Sequence, residues 1–265
     1  MNKKYIKITN KGEGHIINAC KKLGSNVISG NNGVIPYTGY DNLSDLNITW
    51  TSSFGLTNPE DVARQYIKWI NKYSKQYNLD ANYLAALIEI ESGLRSWIYV
   101  RKYTNSNNHS SASGLCQFLV KTLWAVVIDT NSRYGGGEFT QQERQLIGTD
   151  NNNIYRSSFD YYNVVTQTGR KARREWLHQN IIDNPEISIK AMCLYIRFIA
   201  DRCSGLANST LFCYNRGYAF ASDDYKKTVS KAKGYGGDPN YHVEGVNYVF
   251  KIFSKLDNSY GYNLL

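Results

Sequence analysis

Four stretches of this chain open with a helix-capping signal and continue with apolar residues every third or fourth position, and that pattern commits most of it to α-helix. In Asn58-Pro59-Glu60-Asp61 an asparagine cap precedes a proline in the first turn, and the two acids suit the positive end of a helix dipole. Val62, Tyr66, Ile67, Ile70 and Tyr73 then recur on one face. Asp80 is placed to cap a second helix that carries Leu84, Leu87, Ile88 and Glu91, with Gly93 as its stop. Thr140-Gln141-Gln142-Glu143 has the form of a capping box and predicts a helix ending near Gly148. Asn184-Pro185-Glu186 opens another, with Ile189, Met192, Cys193, Ile196, Ile199 and Ala200 facing inward. A last helix is expected over about Val243–Leu256. The expected class is mainly α.

Residues 1–55 read differently. Tyr5-Ile6-Lys7-Ile8 alternates as a short strand would, a helix is expected over His15–Leu23, and extended pieces over Val34–Tyr37 and Leu46–Trp50. A small α+β module of open role is expected there, ahead of a helical domain over residues 56–265. At 265 residues the chain is long enough to bury a core without disulfides or metals.

The formal net charge of +9 favours anionic surroundings: nucleic acid, anionic lipid or an anionic cell wall. No nucleic-acid reading motif accompanies it, so no nucleic-acid partner is expected. The densest basic run, Arg170-Lys171-Ala172-Arg173-Arg174, is expected to be a solvated helix face. No apolar run approaches the ~20 residues that span a bilayer, so no membrane insertion is expected. The basic start Met1-Asn2-Lys3-Lys4 lacks the apolar stretch of a signal peptide, so export by the usual secretory route is not expected. The five cysteines form no Cys-x-x-Cys pair, which argues against structural zinc. Buried free thiols are expected. Cys193, Cys203 and Cys213 are near enough in sequence for pairing among them to stay open. No metal or organic cofactor is expected.

Glu91 is the residue with chemical promise. It shares a helix face with Leu84, Leu87 and Ile88, so its carboxyl should be partly desolvated. A carboxylic acid kept protonated near neutral pH is the general acid that glycoside cleavage needs. Glu89, two positions away, points to another side of the helix and is not a natural partner carboxylate.

Five segments in order sharpen this reading. Leu84-Ala85-Ala86-Leu87-Ile88-Glu89-Ile90-Glu91-Ser92-Gly93-Leu94 resembles the helix of soluble lytic transglycosylases that ends in their catalytic Glu-Ser pair. Ser111-Ala112-Ser113-Gly114-Leu115-Cys116-Gln117-Phe118-Leu119 resembles their Gly-Ala-x-Gly-Leu-Met-Gln stretch. Asn184-Pro185-Glu186-Ile187-Ser188-Ile189-Lys190-Ala191 is similar to their Asn-Pro-Glu helix start. Tyr214-Asn215-Arg216-Gly217 is similar to Tyr-Asn-Ala-Gly, and Val246-Asn247-Tyr248-Val249 to the closing Asn-Tyr-Val segment. The resemblance covers about residues 57–256 and extends to goose-type lysozyme. It implies a lysozyme-like fold, the SLT domain, acting on bacterial peptidoglycan.

It also implies roles. Glu91 would be acid and then base; the Gln117 amide would hold an N-acetyl group; Tyr214, Asn215 and Tyr248 would contact sugar; Ser92, Gly114 and Leu119 would line the same site. One carboxylate suffices where the substrate's acetamido group supports the cation and its own C6 hydroxyl attacks, giving a 1,6-anhydro product. Several positions depart from the family pattern. Cys116 stands for Met, Ser111 for Gly, Asn108 for a frequent Ser, Leu119 for a cleft Met, and Arg216 for Ala. The connection Trp124–Asp183 is much longer than usual and reads as an insertion. A hydrolytic muramidase on the same scaffold, with Glu138, Glu143 or Asp201 as second carboxylate, is the nearest alternative; a non-catalytic wall-binding or delivery protein is another. The Asn-, Lys- and Tyr-rich composition and the expected lack of a signal peptide suggest a bacteriophage setting, either a holin-released endolysin or a virion component with virion proteins as partners.

Overall fold

The computed structural model describes residues 4–28, 58–96, 99–100, 112–134, 136–150, 153–156, 172–235 and 240–264. The chain is mainly helical, as expected. Its helices are α1 (Asn10–Ile28), α2 (Pro59–Gln76), α3 (Ala81–Ser92), α4 (Val120–Leu123), α5 (Gln141–Gly148), α6 (Ala172–Asp183), α7 (Pro185–Arg202), α8 (Ala207–Arg216), α9 (Tyr225–Lys233) and α10 (Tyr241–Lys255). A small antiparallel sheet joins β1 (Tyr99–Val100), β2 (Ala112–Ser113) and β3 (Phe118–Leu119) in that order. Among the described residues no helix is long and apolar enough to cross a membrane.

The capping signals are realised in atoms. The Asn58 side chain accepts from Glu60 N at 2.9 Å, and the Asp80 carboxylate from Asn82 N at 2.9 Å. Thr140 and Glu143 satisfy each other's backbone N–H groups at 3.2 and 2.8 Å, the full capping box. Every inward residue anticipated on α2 and α7 is buried.

The chain forms two compact units. One comprises Met1–Ile16, Ile67–Ile90 and Met192–Leu265; the other comprises Ile17–Tyr66 and Glu91–Ala191. In the first, the opening segment does not form the expected strand: Ile6 makes one isolated bridge to Asp80. Asparagine side chains supply acceptors in place of a strand partner. Tyr5 N donates to Asn78 Oδ1 at 2.7 Å, Ile8 N to Asn71 Oδ1 at 3.0 Å, and Thr9 N to Asn82 Oδ1 at 2.9 Å. That satisfies backbone donors that a lone extended segment would leave open. Gly12 then lies so close to Tyr260 that an added Cβ would sit 2.5 Å from the ring. The helix expected over His15–Leu23 is present but longer. The extended pieces expected near residues 34–37 and 46–50 lie outside the described residues, as do the side chains of the basic run at 170–174.

In the second unit, α4 continues into a π-helical turn, Trp124–Ile128, whose Trp124, Val126, Val127 and Ile128 are all buried. This turn packs on α5, α5 on α6, and α6 on β2 and α4. The described part of the long connection thus builds a helical layer behind the small sheet.

Candidate functional site

The segment Gly114-Leu115-Cys116-Gln117 is the turn of the β2–β3 hairpin, between the paired Ser113 and Phe118. Gly114 has φ +74°, a backbone conformation that favours glycine. Gln117 also lies in the left-handed region, at φ 50°. Its backbone N–H and its side-chain amide both donate to Gly114 O, at 3.2 and 2.9 Å. One of the two amide hydrogens expected to meet substrate therefore braces the turn. Leu115 and Cys116 are fully buried, whereas Leu119 is exposed.

The turn is held from behind. Ser113 Oγ and His178 Nδ1 share a 2.6 Å hydrogen bond, with both residues buried. One turn further along α6, Ile181 O lies 3.4 Å from where a Gly114 Cβ would be. Sequence reading did not single out Ser113 or His178. They lie 65 residues apart, and the histidine belongs to the stretch read as an insertion, so no local pattern joins them.

Glu91 lies in the last turn of α3, half-buried, followed by the buried Ser92 and by Gly93 at φ +62°. Leu84, Leu87 and Ile88, which lead to it along one face, are fully buried. The Cys116 thiol of the hairpin turn lies within electrostatic reach of Glu91. Burial pushes it well above the usual thiol range, and the Glu91 carboxylate adds to that shift. Glu91, the Gly114–Gln117 turn and the start of α7 belong to the same unit. Close by, burial pushes the Tyr66 hydroxyl far above the ordinary phenol range, and the charge of Cys116 adds to the shift.

Tyr214, Asn215 and Tyr248 belong to the other unit. Tyr214 is half-buried and packs on Tyr195 with centroids 5.8 Å apart. Asn215 Oδ1 accepts from Arg216 Nε at 2.7 Å. The Arg216 guanidinium lies 4.3 Å above the Tyr241 ring and pairs with Glu244 at 2.5 Å. The helices α8 and α10 approach closely at Gly245, where a Cβ would come 2.6 Å from the Phe212 ring. Tyr248 is largely buried and lines a groove of about 350 Å³ with Asn240, Val243, Glu244, Asn247 and Lys251.

The carboxylates weighed as second acids have other engagements. Lys190 Nζ, itself buried, donates to both Glu143 oxygens at 2.9 and 2.8 Å. Asp201 pairs with Arg197 at 2.5 Å in an exposed i,i+4 bridge of the first unit. Glu138 is exposed. Glu89 carries an ion cluster of its own: His15 Nε2 lies 2.9 Å from both oxygens, Lys255 Nζ donates at 2.9 Å and Tyr260 Oη at 3.3 Å. All five cysteines are free and buried. Among the described residues, no group of three or more His, Cys, Asp or Glu could hold a metal ion. No protein-family model matches the chain, and neither a curated protein nor a solved structure matches it.

Proposed function

We propose that this chain is a peptidoglycan lytic transglycosylase with a lysozyme-like fold, cleaving the β-1,4 bond between N-acetylmuramic acid and N-acetylglucosamine. The observation that carries the reading is the nearness of Glu91 to the Gly114–Gln117 turn. The helix that resembles the family's acid helix ends with the Glu91 carboxylate in electrostatic reach of the buried Cys116 thiol, in the turn that resembles the glycine–glutamine stretch. The ends of an apolar helix and of a braced hairpin turn set the acid and the amide on rigid elements, as a catalytic constellation requires.

In this mechanism the Glu91 carboxyl protonates the glycosidic oxygen and the bond to the anomeric carbon breaks. The substrate's acetamido oxygen supports the developing cation. The carboxylate then takes the proton of the muramoyl C6 hydroxyl, whose oxygen closes on the anomeric carbon, so no water is consumed. The Gln117 side-chain amide, which donates to Gly114 O, is the group that the resemblance assigns to the N-acetyl group. The resemblance assigns sugar contacts to Tyr214, Asn215 and Tyr248 as well, and lining roles to Ser92, Gly114 and Leu119. The engagement of Glu143 with Lys190 and its own cap supports a one-acid scheme over a two-carboxylate hydrolysis that enlists it. The setting we infer is phage-borne wall opening, which requires the protein to be found in virions or in phage lysates.

The deciding experiment is mass spectrometry of muropeptides released from purified peptidoglycan, with Glu91→Gln in parallel. Products ending in 1,6-anhydro-N-acetylmuramic acid, lost in the variant, are expected. Reducing-end products one water heavier would replace this reading with a muramidase; no release from several wall types would remove the enzyme reading altogether.

A further inference from the structure

The groove at Tyr248 does not end the open surface of α10. Lys251, which lines it, also lines a second groove of about 430 Å³, together with Ile90, Phe250, Ser254, Lys255 and Asn258. All of these residues belong to the first unit. Asn240, Val243, Asn247, Lys251, Ser254 and Asn258 follow one another at steps of three or four residues. They therefore form one stripe along α10 and along the π-helical turn Leu256–Tyr260 that continues it. From Asn240 to Asn258, at ~1.5 Å per residue, that track runs roughly 27 Å.

Three charged residues line the track, and two of them are already answered. Glu244 pairs with Arg216 at 2.5 Å, and Lys255 donates to Glu89 at 2.9 Å. The exposed Lys251 ammonium has neither an ion pair nor a hydrogen bond among the described residues. Beside it, Phe250 and Val243 leave large apolar side chains in water, 66% and 41% exposed. Asn247, Ser254 and Asn258 add amide and hydroxyl groups. A ligand that suits this track is elongated, brings an anion to Lys251, and carries small apolar groups and amides on either side of it. An acidic peptide has all three features. Phosphate polymers and anionic bilayers are instead held by several cations at once, and the track offers one unpaired lysine.

We propose that the α10 track binds the stem peptide that peptidoglycan carries on its muramic acid, with Lys251 meeting a peptide carboxylate and Val243 and Phe250 covering alanine methyl groups. This role rests on the glycan reading above and extends it from sugar to peptide. About five residues of extended chain span at most ~18 Å, within the length of the track.

The test titrates a synthetic stem pentapeptide, acetylated at its N-terminus, into the full chain labelled with nitrogen-15. Saturable shifts of the Asn247 and Asn258 side-chain amides are expected. Lys251→Gln should weaken binding about tenfold, the worth of a charge-assisted hydrogen bond. Lys226→Gln, which removes the same charge from an exposed position on α9, should leave binding unchanged. Amidating the peptide's carboxylates should weaken binding to the parent as much as Lys251→Gln does, and should add nothing further to that variant. Both variants should melt with the parent, because both lysines are exposed. Three results would overturn the stem-peptide site: no saturable shift, equal affinity of parent and Lys251→Gln, or Lys251-dependent binding of polyphosphate or anionic vesicles that is tighter than binding of the peptide. No bond is cleaved in this titration, so it separates from the muropeptide experiment. Anhydro products without peptide binding would remove the stem-peptide site alone; peptide binding without anhydro products would remove the transglycosylase and keep the site.

Discussion

Glu89 and Glu91 stand two residues apart at the end of the same helix, yet they meet opposite surroundings. Glu89 is enclosed by groups that hold its charge: His15, Lys255 and the Tyr260 hydroxyl all reach its oxygens. Glu91 ends an apolar face, half-buried, with a buried neutral thiol in its field and the hairpin turn of Gln117 alongside that thiol. A carboxylate with two basic partners is a structural fastener. A half-buried carboxyl at the end of an apolar face suits the role of a general acid. Helix phase accounts for the difference, because two steps of ~100° move a side chain to another side of the helix.

The same substitution at both positions breaks the comparison most sharply. Glu91→Gln is expected to lower release of anhydro-muropeptides by about 10²–10⁴-fold, the worth of a general acid, while leaving the thermal melt nearly unchanged. Glu89→Gln is expected to do the reverse. It should cost about 2–3 kcal/mol in urea unfolding, because Lys255 and His15 lose their anionic partner, with activity per folded molecule retained. If Glu89→Gln abolished release and Glu91→Gln did not, the assignment of the acid would be wrong.

A smaller effect tests what braces the surroundings of Glu91. His178→Ala leaves the buried Ser113 hydroxyl without its ring partner and should cost about 1–2 kcal/mol. Because the hairpin turn then loosens, turnover should fall beyond what the loss of folded protein explains. Unchanged turnover would make the Ser113–His178 bond purely architectural.

Glu143 is a third carboxylate, structural like Glu89 but sensitive to acid in a defined direction. Burial raises its pKa, but the hydrogen bonds from Lys190 and Thr140 outweigh that and hold it below the usual carboxylate value of 4.5. A depressed native pKa contributes stability that is fully present above the unfolded value and is lost as pH falls through the native one. Glu143→Gln should therefore cost about 1 kcal/mol at neutral pH. The gap from the parent should shrink as pH drops below 4.5 in urea titrations across pH. A gap that widened in acid would contradict the ion-pair account.

Much of the helical framework was legible because caps and apolar spacing are local signals. The Asn58, Asp80 and Thr140 caps and the buried faces of α2 and α7 follow from residues within a few turns of each other. The opening segment was misread as a strand because alternation alone does not reveal that Asn71, Asn78 and Asn82 would supply its hydrogen-bond partners. At the candidate site, Glu91 and the Gly114–Gln117 stretch stood out as motifs, whereas the Ser113–His178 pair did not. That pair joins residues 65 positions apart, and its histidine lies in a connection read only as an insertion.

By itself the sequence determined where helices start and stop, which faces are apolar and which acid ends an apolar face, since each depends on dihedral preference and periodicity over a few residues. Only the tertiary structure decided what Glu89 and Glu143 meet and what braces the hairpin turn. Those outcomes depend on long-range packing, which sets distances that sequence spacing does not encode.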